Sequence, residues 1–291
     1  MLQMDFFYRE KPWYAGQFVR KIVPKIKIPQ NAILYFTTVL NKQKPLLLPV
    51  LVRDVDKTFR DINIALPVTA DRQIDFAFME ILISELKMDR ITKLETYLFD
   101  TGLKGVHLLS EEKLALKEYD KLTWGKFNLE DLYGKATRGK RLKSADRIPG
   151  NLPFVTAGEG NEGVSDFIGN AVHIFAKNTI TIDMFGSAKY RDYEYGGDDH
   201  VAVVHTEKLP MKAAIFVTAA IHKSAHTGQF HYGRNFYAKD ADCLHIMLPV
   251  KNGQPDYKKM NTIISAIQKM ILKDVVSYVD QKTDDVGVYT E

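Results

Sequence analysis

Between Lys135 and Arg147, six positive side chains (Lys135, Arg138, Lys140, Arg141, Lys143 and Arg147) are opposed by a single acid, Asp146. Glycine and small residues interleave them, so the backbone can approach a polyanion closely. The formal net charge of all 291 residues is only +4, so this one loop carries more positive charge than the whole chain. That focus suits contacts to a phosphate backbone, where affinity comes from releasing condensed counterions. A solvated basic face is the other reading of such a run. The stretch Gly134-Lys135-Ala136-Thr137-Arg138-Gly139-Lys140-Arg141 also approaches the phosphate-loop pattern G-x-x-x-x-G-K-[ST]. Arg141, however, stands where a hydroxyl would hold the metal ion, and no buried strand leads into the loop. Nucleotide hydrolysis is not expected.

Other chemistries find less support. His222 and His226 lie one helical turn apart, with His231, Cys243 and His245 following, but the tight ligand pairs of a closed zinc site are absent. Polar or hydrogen-bonded histidines are the expectation, and no metal site is assigned. Asp183, Asp192, Glu194, Asp198 and Asp199 would suit a metal-dependent nuclease, yet no acid-x-lysine strand pairing can be placed, and acids near glycine turns are common in loops. Ser187 follows Gly186 outside any G-x-S-x-G setting. No glycine-rich dinucleotide fingerprint follows a strand, and no Asn-Pro-Pro-Tyr-like methyltransferase motif is present. The chain is therefore expected to lack catalysis of its own.

Composition bounds the rest. A hydrophobic content of 45% with mixed charges describes a folded protein. Cys243 is the only cysteine, which leaves no internal disulfide and fits a reducing compartment. The longest apolar runs, such as Ala213 to Ile221, fall far short of a membrane span. A cytoplasmic protein is expected.

The elements that must position the basic loop belong to a repeat. Tyr190-Arg191-Asp192 answers Tyr8-Arg9-Glu10, and Val201 answers Val19. Ala213-Ala214-Ile215-Phe216 answers Ala32-Ile33-Leu34-Tyr35, and Ile246 to Val250 answers Ile64 to Val68. Asp256-Tyr257-x-x-Met260 answers Asp75-Phe76-x-x-Met79, at an offset of 181 to 182 throughout. Nothing matches the stretch from about Trp124 to Lys189, so a first unit without its front half is expected to precede a full second one. Each unit should close with a long helix. Met79, Ile83, Leu86, Ile91, Leu94 and Leu98 recur at helical spacing, as do Met260, Ile264, Ile267, Ile271, Val275 and Tyr278. Asp75 and Asp256 stand where an N-cap carboxylate would accept backbone N–H bonds. Each stripe either packs on its own domain or pairs with the other. The charged, helix-compatible stretch Gly102 to Lys121 reads as a linker. From Trp124 to Asp199, short apolar runs (Leu152 to Val155, Val172 to Phe175, Thr179 to Ile182) alternate with glycine turns, which predicts strands. A helix is predicted over Pro210 to Lys223. The class is α+β, two domains of mixed short strands and helices, each ending in a long helix.

These residues resemble a known family. Trp124-x-x-Phe127, Arg141-Leu142-x-x-x-Asp146-Arg147-x-x-Gly150 and Leu152-Pro153-Phe154-Val155-Thr156-Ala157 look like the target recognition domain of restriction–modification specificity subunits. Asn161-Glu162-Gly163-Val164, Asn178-x-Ile180-Thr181-Ile182, Gly186-Ser187, Tyr232-Gly233-Arg234 and Leu248-Pro249-Val250 continue the likeness. Type I subunits and type IIB and IIG recognition domains share this pattern. The resemblance implies a partial recognition domain over 1–74, a spacer helix over 75–100 and a linker over 101–123. It implies a complete recognition domain over 124–255 and a second spacer helix over 256–282, with the two helices packed antiparallel. It further implies a non-catalytic subunit that reads a bipartite double-stranded DNA site. Methyltransferase (and restriction) subunits would dock on Met79, Ile83, Leu86, Leu94, Ile264, Ile267, Ile271 and Val275. S-adenosylmethionine, magnesium and, in some systems, ATP would act only through those partners. Pairing as a homodimer, or with another specificity half, is a further partner reading. DNA contacts are expected from the basic loop and from Lys189, Arg191, Tyr232 and Arg234. Two alternatives remain open: the specificity end of a fused type IIG methyltransferase–endonuclease, and an interaction scaffold without a DNA role.

Overall fold

The computed structural model describes residues 4–287. It divides into two compact units: the residues up to Lys104 together with those from Val276 onward, and Gly105–Val275. Among the described residues no helix is long and apolar enough to cross a membrane.

The first unit is helical: α1 (Gln30–Asn41), α2 (Lys44–Leu47), α3 (Val55–Asp61) and α4 (Phe76–Asp100). Its core is small, centred on buried Ala32, Leu47, Met79 and Leu98. Asn41 anchors the chain ahead of α1, its Oδ1 accepting from the Phe6 N–H at 3.0 Å and its Nδ2 donating to the Phe6 carbonyl at 2.9 Å. Phe6 stacks on Phe59, and Lys44 pairs with Asp5.

The second unit opens with α5 (Ser110–Lys117), β1 (Trp124–Asn128), α6 (Leu129–Tyr133), β2 (Thr137–Arg138), β3 (Pro149–Val155) and β4 (Val164–Ile168). It continues with β5 (Ile174–Phe175), β6 (Thr179–Asp183), β7 (Ala188–Arg191), β8 (Tyr195–Gly197) and β9 (Val201–Val204). It closes with α7 (Met211–Ala225), α8 (Ala238–Asp242), β10 (His245–Lys251), β11 (Gln254–Pro255) and α9 (Tyr257–Gly287). Two four-stranded sheets run in the orders β2-β9-β6-β7 and β4-β3-β8-β5, beside a three-stranded β1-β10-β11 sheet. The sequence Thr-Ile-Thr-Ile-Asp of β6 is buried along its whole length, because both its neighbours pair with it and α7 covers it. Ile180, Ile182, Val217, Ile221, Ile246 and Met260 belong to the main core.

The repeat is visible in three dimensions. Helices α1 and α7 both start after an N-cap proline, Pro29 and Pro210. Asp75 Oδ1 accepts from the Phe78 N–H at 2.9 Å, and Asp256 Oδ1 accepts from the Lys259 N–H at 2.9 Å. The Asp75 N–H donates to Pro67 and the Asp256 N–H to Pro249, so each closing helix is tied to the strand-like segment before it. Met79 and Met260 are fully buried at equivalent positions. The counterparts of β7 to β9, residues 6 to 23, form no strand in the first unit. In the second unit both β7 and β9 pair with β6, and the described part of the first unit supplies no such central strand. Asp256→Ala is expected to cost about 1 kcal/mol, the usual worth of an N-cap, measurable as a lowered denaturant midpoint.

The apolar stripe expected on α9 needs correction. Met260, Ile263, Ala266, Val276 and Val279 are buried, and Ile264 is half-buried. Ile267, Ile271, Val275 and Tyr278 are exposed. The buried residues fall in two groups, Met260/Ile263/Ala266 and Val276/Val279, each at steps of three, and the neighbouring ridge carries the remainder outward. On α4, Met79 and Leu98 are buried, Ile83 and Leu94 half-buried, and Leu86 exposed. Within the second unit the covering of α9 includes residues 107–118, which run opposite to it. Lys259 reaches Glu118 at 3.4 Å, and Lys269 reaches Glu112 at 2.8 Å and the His107 carbonyl at 3.2 Å. Burial alone would raise the Glu112 carboxyl, but hydrogen bonds from Lys269, the Leu109 N–H and Ser265 bring it below the usual range.

Candidate nucleic-acid interface

The basic loop is fastened near both ends, while most of its cations stand free. Strand β2 pairs with β9 through Thr137↔Val203 and Arg138↔Ala202, and the Lys140 N–H donates to the Gly197 carbonyl at 3.1 Å. Gly139 makes this approach, since a Cβ there would lie 1.6 Å from the Gly197 oxygen. Only glycine permits such closeness. On either side of Gly139, Lys135, Arg138, Lys140, Arg141 and Lys143 are all exposed. Arg147 is not. Its side chain is 11% exposed, lies 5.1 Å over the Phe154 ring, sits 3.8 Å from Asp166 and donates to the Leu142 carbonyl. This corrects its expected DNA-binding role: it closes the loop's base, and five cations rather than six face outward.

A second group of loops gathers at Gly186. The Asp183 carboxylate accepts from the Phe185 and Ser187 N–H groups at 2.9 and 3.0 Å, which fixes the turn between β6 and β7. Gly186 (φ 82°) lets that turn pass the end of α7, where a Cβ would meet the Ala225 carbonyl at 2.4 Å. The Phe236 N–H donates to the Met184 carbonyl at 2.9 Å. Tyr232, 86% exposed, stands edge-on to Phe185 with ring centroids 5.3 Å apart. Exposed Arg234 lies over Phe230 at 5.4 Å. Tyr232 and Arg234 are thus exposed on a loop backed by Phe185 and Phe230.

Lys189 and Arg191 behave differently from expectation. Lys189 is mostly covered and bonded to Glu159 at 3.2 Å and to Ser187 at 3.0 Å, with Asp183 at 3.8 Å. Arg191 is 1% exposed, and all its bonds are internal. A guanidinium so enclosed cannot reach a base edge, which corrects its assignment as a groove residue. Its partners are Thr181, Tyr193 and the Glu162 carbonyl rather than a neighbouring acid.

The structure adds residues that sequence reasoning passed over. Arg138 shares a shallow groove with Tyr237, Ala238 and Lys239, joining the basic loop to the segment carrying Tyr232 and Arg234. The aromatic and basic residues that follow Arg234 were the available signal. The histidines are occupied locally: His222 Nδ1 accepts from the Ala188 N–H at 3.2 Å, and His226 lies 3.2 Å from the Phe185 carbonyl. Asp198, Asp199 and His200 cluster in the turn before β9, with His200 Nδ1 2.9 Å from Asp199.

Comparison with known proteins decides the family. The model of the type I restriction modification DNA specificity domain matches residues 2–96 and 121–276, most of the chain. The chain belongs to this family. As a specificity protein it acts in DNA sequence recognition within a restriction–modification system. It is 23% identical over 271 residues to the specificity subunit S.BcgI of a type II restriction enzyme from Heyndrickxia coagulans, covering 91% of this chain and 75% of that one. Among solved structures it is similar to a type I restriction–modification S subunit from M. genitalium, at 13% identity and a TM-score of 0.45, over 82% of this chain and 68% of that one. It is also similar to the HsdS subunit from Thermoanaerobacter tengcongensis, at 11% identity and a TM-score of 0.36, over 70% and 52% of the two chains. The two matched stretches of the specificity family coincide with the two repeats, so the internal duplication is a duplication of the family's own domain.

Proposed function

We propose that this specificity protein reads a bipartite DNA site and brings a methyltransferase subunit to it, without catalysis of its own. The reading is carried by the second unit, where five exposed cations on an anchored loop adjoin a groove and a loop bearing exposed Tyr232 and Arg234. The cations supply sequence-independent attraction to phosphates, while the aromatic and the arginine supply base recognition. Duplication of the domain supports two half-sites, and pairing of the two closing helices would set their spacing. The exposed apolar residues Ile267, Met270, Ile271 and Val275 on α9 support docking of a methyltransferase or restriction subunit there. S-adenosylmethionine and metal chemistry would enter with that partner.

The test is titration of the full chain with duplex DNA across a salt series. Lys140→Ala/Arg141→Ala/Lys143→Ala should weaken binding to every duplex alike. It should also flatten the log–log salt slope by roughly 0.9 for each DNA phosphate that is no longer neutralised. An unchanged slope would remove the loop from the interface.

A further inference from the structure

The loop Gly158–Gly163, between β3 and β4, is fixed from below by buried groups and open above. Asn161 and Glu162 hold φ angles of 47° and 54°, a left-handed conformation that side-chain-bearing residues keep only where the surroundings impose it. Arg191 braces the loop at Glu162 from beneath. Its Nη2 donates to the Glu162 carbonyl at 2.7 Å, its Nε to Thr181 Oγ1 at 3.0 Å and its Nη1 to the Tyr193 hydroxyl at 2.9 Å. All three acceptors are uncharged. Burying a cation against neutral acceptors is a costly way to stabilise a fold, so the loop's shape is what the arrangement secures. At the loop's foot the Thr156 N–H donates to the Gly163 carbonyl at 2.8 Å.

At the open side stands Glu159, its side chain 69% exposed. Lys189 Nζ holds it from beneath at 3.2 Å and is itself bonded to Ser187 Oγ. The Ser187 hydroxyl, then Lys189, keep the Glu159 carboxyl below the usual carboxylate range against the opposing effect of burial. Ser187 belongs to the same turn as Phe185, on which the exposed Tyr232 rests. A carboxylate is repelled by phosphates, and its productive role at a DNA surface is to accept from an exocyclic amino group, the N4 amino of cytosine above all.

We propose that Gly158–Gly163 is a base-reading loop of the second unit, in which Glu159 accepts from a cytosine amino group and Arg191 is the positioning residue. The proposal rests on the DNA-reading function above. Lys189 fixes the carboxylate's direction and offsets its repulsion from the backbone, and Arg191 fixes its height.

The experiment is parallel selection from a randomised duplex pool by the full chain as wild type, Glu159→Gln, Arg191→Lys and Asn161→Gly, with thermal melting of each. Wild type should enrich a word containing a fixed cytosine. Glu159→Gln should melt like wild type, bind scrambled duplex within about twofold of it, and lose about tenfold of its preference at that one position. Arg191→Lys should blur the same position. Asn161→Gly, in which glycine relieves the backbone strain and the fold is kept, should blur it too. Enrichment of the wild-type word with unchanged weights by Glu159→Gln would overturn the proposal. So would variants at Arg191 and Asn161 that shift melting without shifting the word. If wild type enriched no word, the DNA-reading function itself would fall, whereas an unaltered Glu159→Gln word beside a clear wild-type word would sink the loop assignment alone.

Discussion

Ile271→Glu should fold as the parent does and lose its methyltransferase subunit. Ile271 is 69% exposed on α9, with Ile267, Met270 and Val275 on neighbouring positions of the helix surface. A charge there meets water in the free protein, so melting should shift little, within about 0.5 kcal/mol. In a complex that buries this ridge the same charge is desolvated without a partner, at a cost of about 3 kcal/mol, or roughly a hundredfold in affinity. Ile263→Glu offers the contrast: Ile263 is fully buried in the core, so its replacement should unfold the second unit. Co-purification with the methyltransferase subunit of the same system, alongside thermal melting, reads both effects. Retention of the subunit by a folded Ile271→Glu chain would take the docking role away from this ridge.

Gly139→Ala should release the basic loop. Its new methyl would sit 1.6 Å from the Gly197 oxygen and 2.2 Å from the Gly197 carbonyl carbon, both main-chain atoms that cannot turn aside. The β2–β9 pairing or the Lys140–Gly197 hydrogen bond must give way. Overpacking of this severity costs about 3 kcal/mol. Affinity for DNA of any sequence should fall at least about tenfold, because the five cations lose their fixed spacing. Gly105→Ala, with open space around it, is the control and should be neutral. Parental melting and parental DNA affinity in Gly139→Ala would show that the loop is not anchored in this way.

Much of this architecture was legible in the sequence because it rests on local rules. The caps at Asp75 and Asp256, the helix after Pro210 and the alternating strand over Thr179–Ile182 follow from residue type and spacing within a few positions. The duplication was legible because both copies keep the Leu-Pro-Val segment and, after it, the aspartate that caps the closing helix, at a near-constant offset. The misreadings concern side chains whose direction is set by folded partners rather than by neighbouring residue types. Arg147 is taken inward by Phe154 and Asp166, and Arg191 by Thr181 and the Glu162 carbonyl, none of which a basic-residue count can anticipate. The expected stripe on α9 lies one ridge away from the buried one, because from Met260 a first step of three reaches Ile263 and a first step of four reaches Ile264, and both steps fit a helix face. Residues 107–118 read as a connection because the lysines that hold Glu118 and Glu112 lie on α9, 141 and 157 residues later. Lys239 escaped notice because its link to Arg138 exists only once β2 has paired with β9.

Reading of a two-part DNA site by this chain is decided by selecting bound duplexes from a random pool with the unaltered full chain and a methyltransferase subunit of the same system. One enriched word should emerge, made of two specified blocks separated by a spacer of fixed length and free sequence. Enrichment of no word, with binding that depends on salt alone, would contradict that reading.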